Sequence, residues 1–218
     1  MRFMRSRAGS GVVTDQSTHE RELVERLREG DEAAFMELVE MYGPSMLRVA
    51  MSFVRTRAAA EEVVQDTWVG VLRGIDRFEG RSSLKTWIFR ILANTARTRG
   101  VREARSIPFS ALGGDEPAVD PERFLGPDHP HLPGAWAAPP SEWPAEQLEA
   151  KETRELIERT IAELPPQQRE VITMRDIEGF DAEETCNALG LTETNQRVLL
   201  HRARSRVRRA LERHMREQ

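Results

Sequence analysis

The chain has 218 residues, of which 31% are charged and 39% hydrophobic, with a formal net charge of −4 and one cysteine. That length suits one large or two small domains, each big enough to bury a core. A lone Cys186 excludes an internal disulfide framework and a multi-thiolate metal site. No stretch reaches the roughly 20 apolar residues needed to span a bilayer, and no apolar core of signal-peptide length follows the basic start MRFMRSRAGSG. A cytoplasmic chain without membrane insertion is expected.

The net charge hides a strong segregation. Residues 73–105 hold nine basic side chains against three acidic ones, and residues 193–218 hold eight Arg against three Glu. The acidic excess lies between them, mainly over residues 115–163. Two basic patches separated by an acidic stretch predict two contact points on one polyanion.

Taken in chain order, residues 1–18 show no hydrophobic periodicity and read as a disordered N-terminal tail. Helical pattern begins at Glu20, with Leu23 and Leu27 at i,i+4. Asp31 is a candidate N-cap for a helix whose face is Phe35, Leu38, Val39 and Tyr42. Gly43-Pro44 is expected to break or kink that helix before Leu47, Ala50, Met51 and Val54 resume it. A third helix, over 58–75, puts Val63, Val64, Thr67, Trp68, Val71 and Leu72 on a stripe expected to be buried. A fourth, over 83–104, carries Leu84, Trp87, Ile88, Ile91 and Leu92.

Residues 106–145 are dense in Pro, Gly, Ala and acidic side chains and follow neither helical nor strand period, which reads as a linker. Trp136 and Trp143 within it are expected to dock on a neighbouring domain. Helical pattern returns over 145–164 and stops at Pro165-Pro166. A helix over 167–177 ends at Glu178-Gly179. Asp181 with Glu184 makes a capping box, Gly190 fits a C-terminal left-handed position, and Thr192 caps a final helix over 193–215. No useful length alternates with period two, so the fold class is all-α. It is read as two small helical domains joined by a long linker: 1–18 tail, 19–105 first domain, 106–145 linker, 146–218 second domain.

The stretch DAEETCNALGLTETNQRVLLHRARSRVRRAL has a helix-turn-helix layout: a short helix with small apolar residues, a Gly-centred turn, then a longer basic helix. On that last helix Leu200, Ala203, Val207, Ala210 and Leu211 point inward, while its N-terminal half would turn Arg197, Val198, His201 and Arg202 to base edges. Arg suits guanine O6/N7 and Val a thymine methyl; Arg204, Arg206 and Arg208 suit phosphate. The plainer alternative is a solvated face whose cations complement the helix dipole. An enzyme is the rival class. Yet the five His (19, 129, 131, 201 and 214) have no paired ligand spacing, and neither a Gly-rich phosphate loop nor a nucleophile–base arrangement is evident, so no metal, cofactor or catalytic residue is expected.

The segment IAELPPQQREVITMRDIEGFDAEETCNALGLTETNQRVLLHRARSRVRRAL resembles region 4, the −35-binding domain, of extracytoplasmic-function (ECF) sigma factors. The stretch AAEEVVQDTWVGVLRGIDRFEGRSSLKTWIFRILANTARTR, with FMELVEMYGPSMLRVA before it, resembles their region 2. The resemblance implies a factor that binds core RNA polymerase and directs promoter-specific initiation, itself not an enzyme. It implies that Glu62, Gln65, Asp66 and Trp68 lie on the polymerase-docking helix. It implies that Asn94 reads a flipped −10 base, an amide being both donor and acceptor. Arg81 and Lys85, in the loop over 76–85, would contact extruded bases. Trp87 and Phe89 would stack on them, although Trp87 also sits in the apolar stripe. Arg90, Arg97 and Arg99 would attract phosphate, and Asn195 joins the −35 set. The partners implied are core polymerase, promoter DNA and an anti-sigma factor, with the free chain a monomer. The start of the recognition helix, Thr194-Asn195-Gln196-Arg197-Val198-Leu199, departs from the Thr-Val-Lys/Arg-Ser pattern of the family, so no consensus is carried over. The long linker is a second departure; Asp115, Glu116, Asp120 and Glu122 in it would mimic RNA by analogy. The competing readings are a sigma-like decoy that sequesters an anti-sigma factor and a stand-alone helix-turn-helix regulator.

Overall fold

The computed structural model describes residues 10–104 and 151–217, and among these there is no strand. The first group holds α1 (Ser10–Arg28), α2 (Glu32–Met51), α3 (Arg57–Gly74), a 3-10 turn (Ile75–Arg77) and α4 (Leu84–Ala104). The second holds α5 (Lys151–Ala162), α6 (Pro166–Ile172) with a π-helical turn (Thr173–Ile177), α7 (Ala182–Leu189) and α8 (Glu193–Glu217). The Trp, His and acidic residues singled out in the linker lie outside the described residues.

Local chemistry sets most boundaries. The Asp31 carboxylate accepts from the amides of Ala33 (2.8 Å) and Ala34 (3.3 Å) at the start of α2. Its charged form is stabilised first by the Arg26 hydrogen bond, which holds its carboxyl below the usual range. Asp181 and Glu184 close the capping box of α7, and Gly190 ends that helix at φ +65°, where a Cβ would be strained. Thr192 Oγ1 accepts from Asn195 N at 3.3 Å at the start of α8.

Three expectations are corrected. Residues 10–18 belong to α1 rather than to a tail. Helix α2 runs unbroken through Gly43-Pro44. Proline removes one backbone bond, but Leu38 and Ala34 before it and Met46, Val49 and Ala50 after it all lie buried on the same core, so packing outweighs the lost bond. Leu72 of α3 is 47% exposed instead of buried. Successive helical residues turn by about 100°, so Leu72 points well away from its fully buried neighbour Val71.

Helix α1 braces the loop between α3 and α4 from both sides. Its Arg28 donates to the carbonyls of Phe78 (2.6 Å) and Ile75 (3.4 Å), and its Glu20 carboxylate accepts from the amide of Leu84, the first residue of α4. Gly70 and Gly74 let α3 approach α4 closely, since a Cβ there would stand 3.1 Å from Ile91 and Trp87 respectively. The Phe78 ring lies 5.1 Å from that of Trp87, centroid to centroid, which fixes the loop over the start of α4.

The two groups of helices share one apolar cluster. Helix α7 lies along α4, and Gly179, at φ +69°, turns the chain so that Phe180 enters the first group. The Phe180 ring meets Phe89 edge-on at 4.8 Å, and Phe89 in turn meets Tyr42 at 6.4 Å. Polar contacts surround this seam. Arg97 donates to Leu189 O at 2.6 Å and stands 3.7 Å from Glu170; Arg169 donates to Ser52 O at 2.7 Å.

Two predictions follow from that seam. Phe89→Ala removes a fully buried ring shared by both groups and should cost about 3–5 kcal/mol; denaturant unfolding followed by probes in each group would show the loss in both at once. Burial pushes the Glu170 carboxyl up to about 7, against the opposing pull of Arg97 and Arg169. A carboxyl raised in the folded state favours folding most below its ordinary value of 4.5, and that contribution is lost as pH climbs through about 7. Glu170→Gln should therefore match the wild type at pH 4 and exceed it by about 1–3 kcal/mol at pH 8. Urea melts at the two pH values test this, and equal stabilities at pH 8 would refute it.

Candidate nucleic-acid and polymerase interface

Three surfaces carry the residues singled out in the sequence. On α3, Glu62, Gln65 and Asp66 are exposed, and the same face continues through Val69 (44% exposed) and Leu72. Glu62 is ion-paired with Arg99 of α4, which ties the top of this face to the neighbouring helix. Trp68, on the stripe expected to be buried, is 8% exposed, with its ring edge-on to Phe35 of α2 at 5.6 Å. Val69 and Leu72 were missed because apolar side chains on an amphipathic helix look like core; their wheel position beside Gln65 and Asp66 was the available signal.

On α4 the expected −10 residues divide between two stripes. Arg90 and Asn94 are exposed, one turn apart. Arg81 is exposed in the preceding loop, where its guanidinium lies 2.7 Å from Glu79. Lys85 and Arg97 fall on the stripe that receives the second group of helices: the Lys85 ammonium sits 3.8 Å over the Phe180 ring, and Arg97 holds Leu189. Phe89 lies on that stripe with no exposure, so its expected stacking on a base is corrected: its faces are occupied by Tyr42 and Phe180. Trp87 is half-buried against Phe78 and the approach of Gly74.

On α8, Thr194, Asn195, Arg197, Val198 and Arg202 are exposed around the first two and a half turns. Val198, 44% exposed, stands at the centre of this patch. Gln196 points the other way and is 1% exposed. The stripe through Thr194, Val198 and His201 reaches Ser205, where it is buried, so the readable face is confined to the N-terminal part of the helix. His201 is half-buried, and burial followed by the charges of Arg202 and Arg204 pulls its pKa down, favouring the neutral ring. Arg197 is ion-paired with Glu193 on its own helix. Arg204 forks onto Asp176 of the π turn, with Nε at 2.8 Å and Nη2 at 2.6 Å. That fork has the geometry by which guanidinium binds phosphate, here satisfied by a carboxylate.

Among the described residues there is no group of three or more side chains suited to hold a metal ion, and no helix is long and apolar enough to cross a membrane.

Comparison with known proteins assigns both halves. The family model for sigma-70 region 2 matches residues 38–106, and that for sigma-70 region 4 matches residues 154–212. The RNA polymerase sigma-H factor of Pseudomonas aeruginosa is 31% identical over 198 residues, covering 91% of this chain and 96% of that protein. The ECF RNA polymerase sigma-E factors of Salmonella typhimurium and Escherichia coli are each 30% identical over 198 residues, covering 91% of this chain and 94% of theirs. The fold also matches two solved structures. CnrH, in complex with the cytosolic domain of CnrY, gives a TM-score of 0.58 at 23% identity over 88% of this chain and 97% of that one. The sigma factor RpoE of Bartonella quintana, in complex with the anti-sigma factor NepR, gives 0.54 at 22% over 82% and 96%. With its two family segments in order and relatives matched along almost their whole length, the chain belongs to the ECF RNA polymerase sigma factors of the sigma-70 family.

Proposed function

We propose that the chain binds core RNA polymerase through the exposed face of α3 and directs it to promoters, reading the −10 element from α4 and the −35 element from α8. The polymerase carries out the chemistry, so no catalytic residue is required of the chain. The observation that carries this reading is the exposed patch Thr194, Asn195, Arg197, Val198 and Arg202 on the second helix of a helix-turn-helix, in one chain with an acidic-to-apolar face on α3. Within the first domain, which we take as residues 19–105, Arg81, Arg90 and Asn94 form the part of the −10 surface exposed in this arrangement. Within the second, residues 146–218, base contacts fall to Asn195, Arg197, Val198 and Arg202, while Arg204 serves phosphate once Asp176 releases it. The chain works as a cytoplasmic monomer when free. An anti-sigma factor is the natural inhibitory partner, supported by the RpoE–NepR complex of the same fold.

Co-elution of the full chain with core RNA polymerase on a sizing column tests the first step. A stoichiometric complex is expected, and Leu72→Glu, which puts a charge on an apolar part of the docking face, should abolish it while leaving the thermal melt unchanged. Equal co-elution of the variant would move the docking face elsewhere. Arg202→Ala should weaken discrimination at the −35 element by about 1–3 kcal/mol, measured by competition between matched and scrambled promoters. Unchanged selectivity would show that the reading face is misplaced.

A further inference from the structure

We infer that α1 sets the shape in which the loop over 76–85 is offered to DNA, with Arg28 and Glu20 as positioning residues for −10 recognition. That role rests on the promoter reading proposed above, in which Arg81 of this loop meets the −10 element. Helix α1 carries none of the docking or reading residues itself, and it lies ahead of the residues that match the region 2 family model.

Left to itself the loop has little to hold it. Residues 78–83 form neither helix nor strand, and their backbone bonds lie at the two ends, from Phe78 N to Ile75 O at 3.1 Å and from Trp87 N to Ser83 O at 3.0 Å. Gly80, at φ +68°, turns the chain between them and leaves Glu79, Gly80 and Arg81 exposed at the crest. A crest without side supports samples many shapes, and most of that freedom is given up when it holds a base.

The supports come from α1. At one end Arg28 donates through Nη2 to Phe78 O at 2.6 Å and through Nε to Ile75 O at 3.4 Å. Its Nη1 is held at 2.8 Å by Glu25 of its own helix, so all three guanidinium nitrogens are engaged and the plane of the group is fixed. At the other end the Glu20 carboxylate accepts from Leu84 N, beside the Ser83 hydroxyl oxygen that accepts from Thr86 N at 3.1 Å. Glu20 and Arg28 stand on one side of α1, about 12 Å apart along its axis. Between them Leu23, Val24 and Leu27 are buried in the core, which stops the helix from rolling or sliding. A strut of fixed length thus meets both ends of the loop and decides where its crest stands relative to Arg90 and Asn94 on α4. Both supports are charge-assisted and grip backbone atoms alone. The crest side chains therefore determine which base is preferred, and α1 determines where they are presented.

Hydrogen exchange of the full chain tests the brace, and selection by the holoenzyme from a duplex library randomised over the −10 and −35 elements tests its use. Arg28→Met keeps an apolar stem without donors, and Glu20→Leu loses the acceptor. Both should speed exchange over residues 78–84 and lower base preference at the −10 element about fivefold, the scale of one side chain's ordering cost. Preference at the −35 element, polymerase affinity and thermal melt should not change. Glu20→Gln, which keeps a carbonyl oxygen for Leu84 N, should restore both values. Unchanged exchange in Arg28→Met and Glu20→Leu would overturn the brace. Faster exchange with wild-type −10 preference, or equal losses at both elements with a lowered melt, would overturn the positioning role. Should Arg28→Met fail to fold, the two Glu20 variants decide in the same way. If the wild-type holoenzyme shows no −10 preference, the promoter reading falls and the positioning role with it, while exchange still decides whether α1 holds the loop.

Discussion

The contact between Phe180 and Phe89 makes one core out of two. Each domain taken alone is a small helical unit, and small units bury a modest share of their surface. By crossing from the loop after the π turn into a slot on α4, Phe180 joins the two sets of apolar side chains without a gap. Around that insertion Glu178 meets Arg48, Arg97 meets Leu189 and Arg169 meets Ser52 within bonding distance. The seam is thus apolar at its centre and polar at its rim.

A rim of this kind adds little to the strength of the joint. Guanidinium groups donating to backbone carbonyls and carboxylates find equivalent partners in water or on phosphate, so separation leaves few of them stranded. The aromatic centre supplies adhesion, while the charged rim sets register. Glu170 works against this arrangement, since its carboxylate is desolvated at the seam and Arg97, at 3.7 Å, compensates only in part. Buried ionisable groups seldom maximise stability. This one weakens the seam as pH rises.

What the sequence disclosed depended on range. Caps and turns were legible, because Asp31, the Asp181–Glu184 box and Gly190 act on backbone groups within four residues of themselves. The all-helical class and the helix-turn-helix were legible for the same reason. Pro44 misled because its local penalty is offset by burial contributed from α3 and α4, which no window around it contains. Trp68 lies buried as its stripe predicts, whereas Leu72 does not: a stripe drawn through both Val71 and Leu72 is too wide where about 100° per residue separates neighbours. Arg97 and Phe89 were assigned to DNA since nothing near them in sequence announces Leu189 or Phe180, about 90 residues onward.

The basic patches themselves change meaning once their partners are known. Counted from the sequence, α4 and α8 offer a dense array of cations for DNA. In the folded chain Arg97 is bonded across the seam, Arg99 is paired with Glu62, Arg197 with Glu193 and Arg204 with Asp176. On the proposed reading, the carboxylates that hold Arg99, Arg197 and Arg204 would have to be exchanged for phosphate on binding. Such exchange would reduce the net electrostatic gain per contact, since each pair broken offsets part of the attraction to phosphate. The cation count taken from the sequence therefore overstates what α4 and α8 would offer a polyanion, because acidic side chains of a chain with net charge −4 already hold Arg99, Arg197 and Arg204.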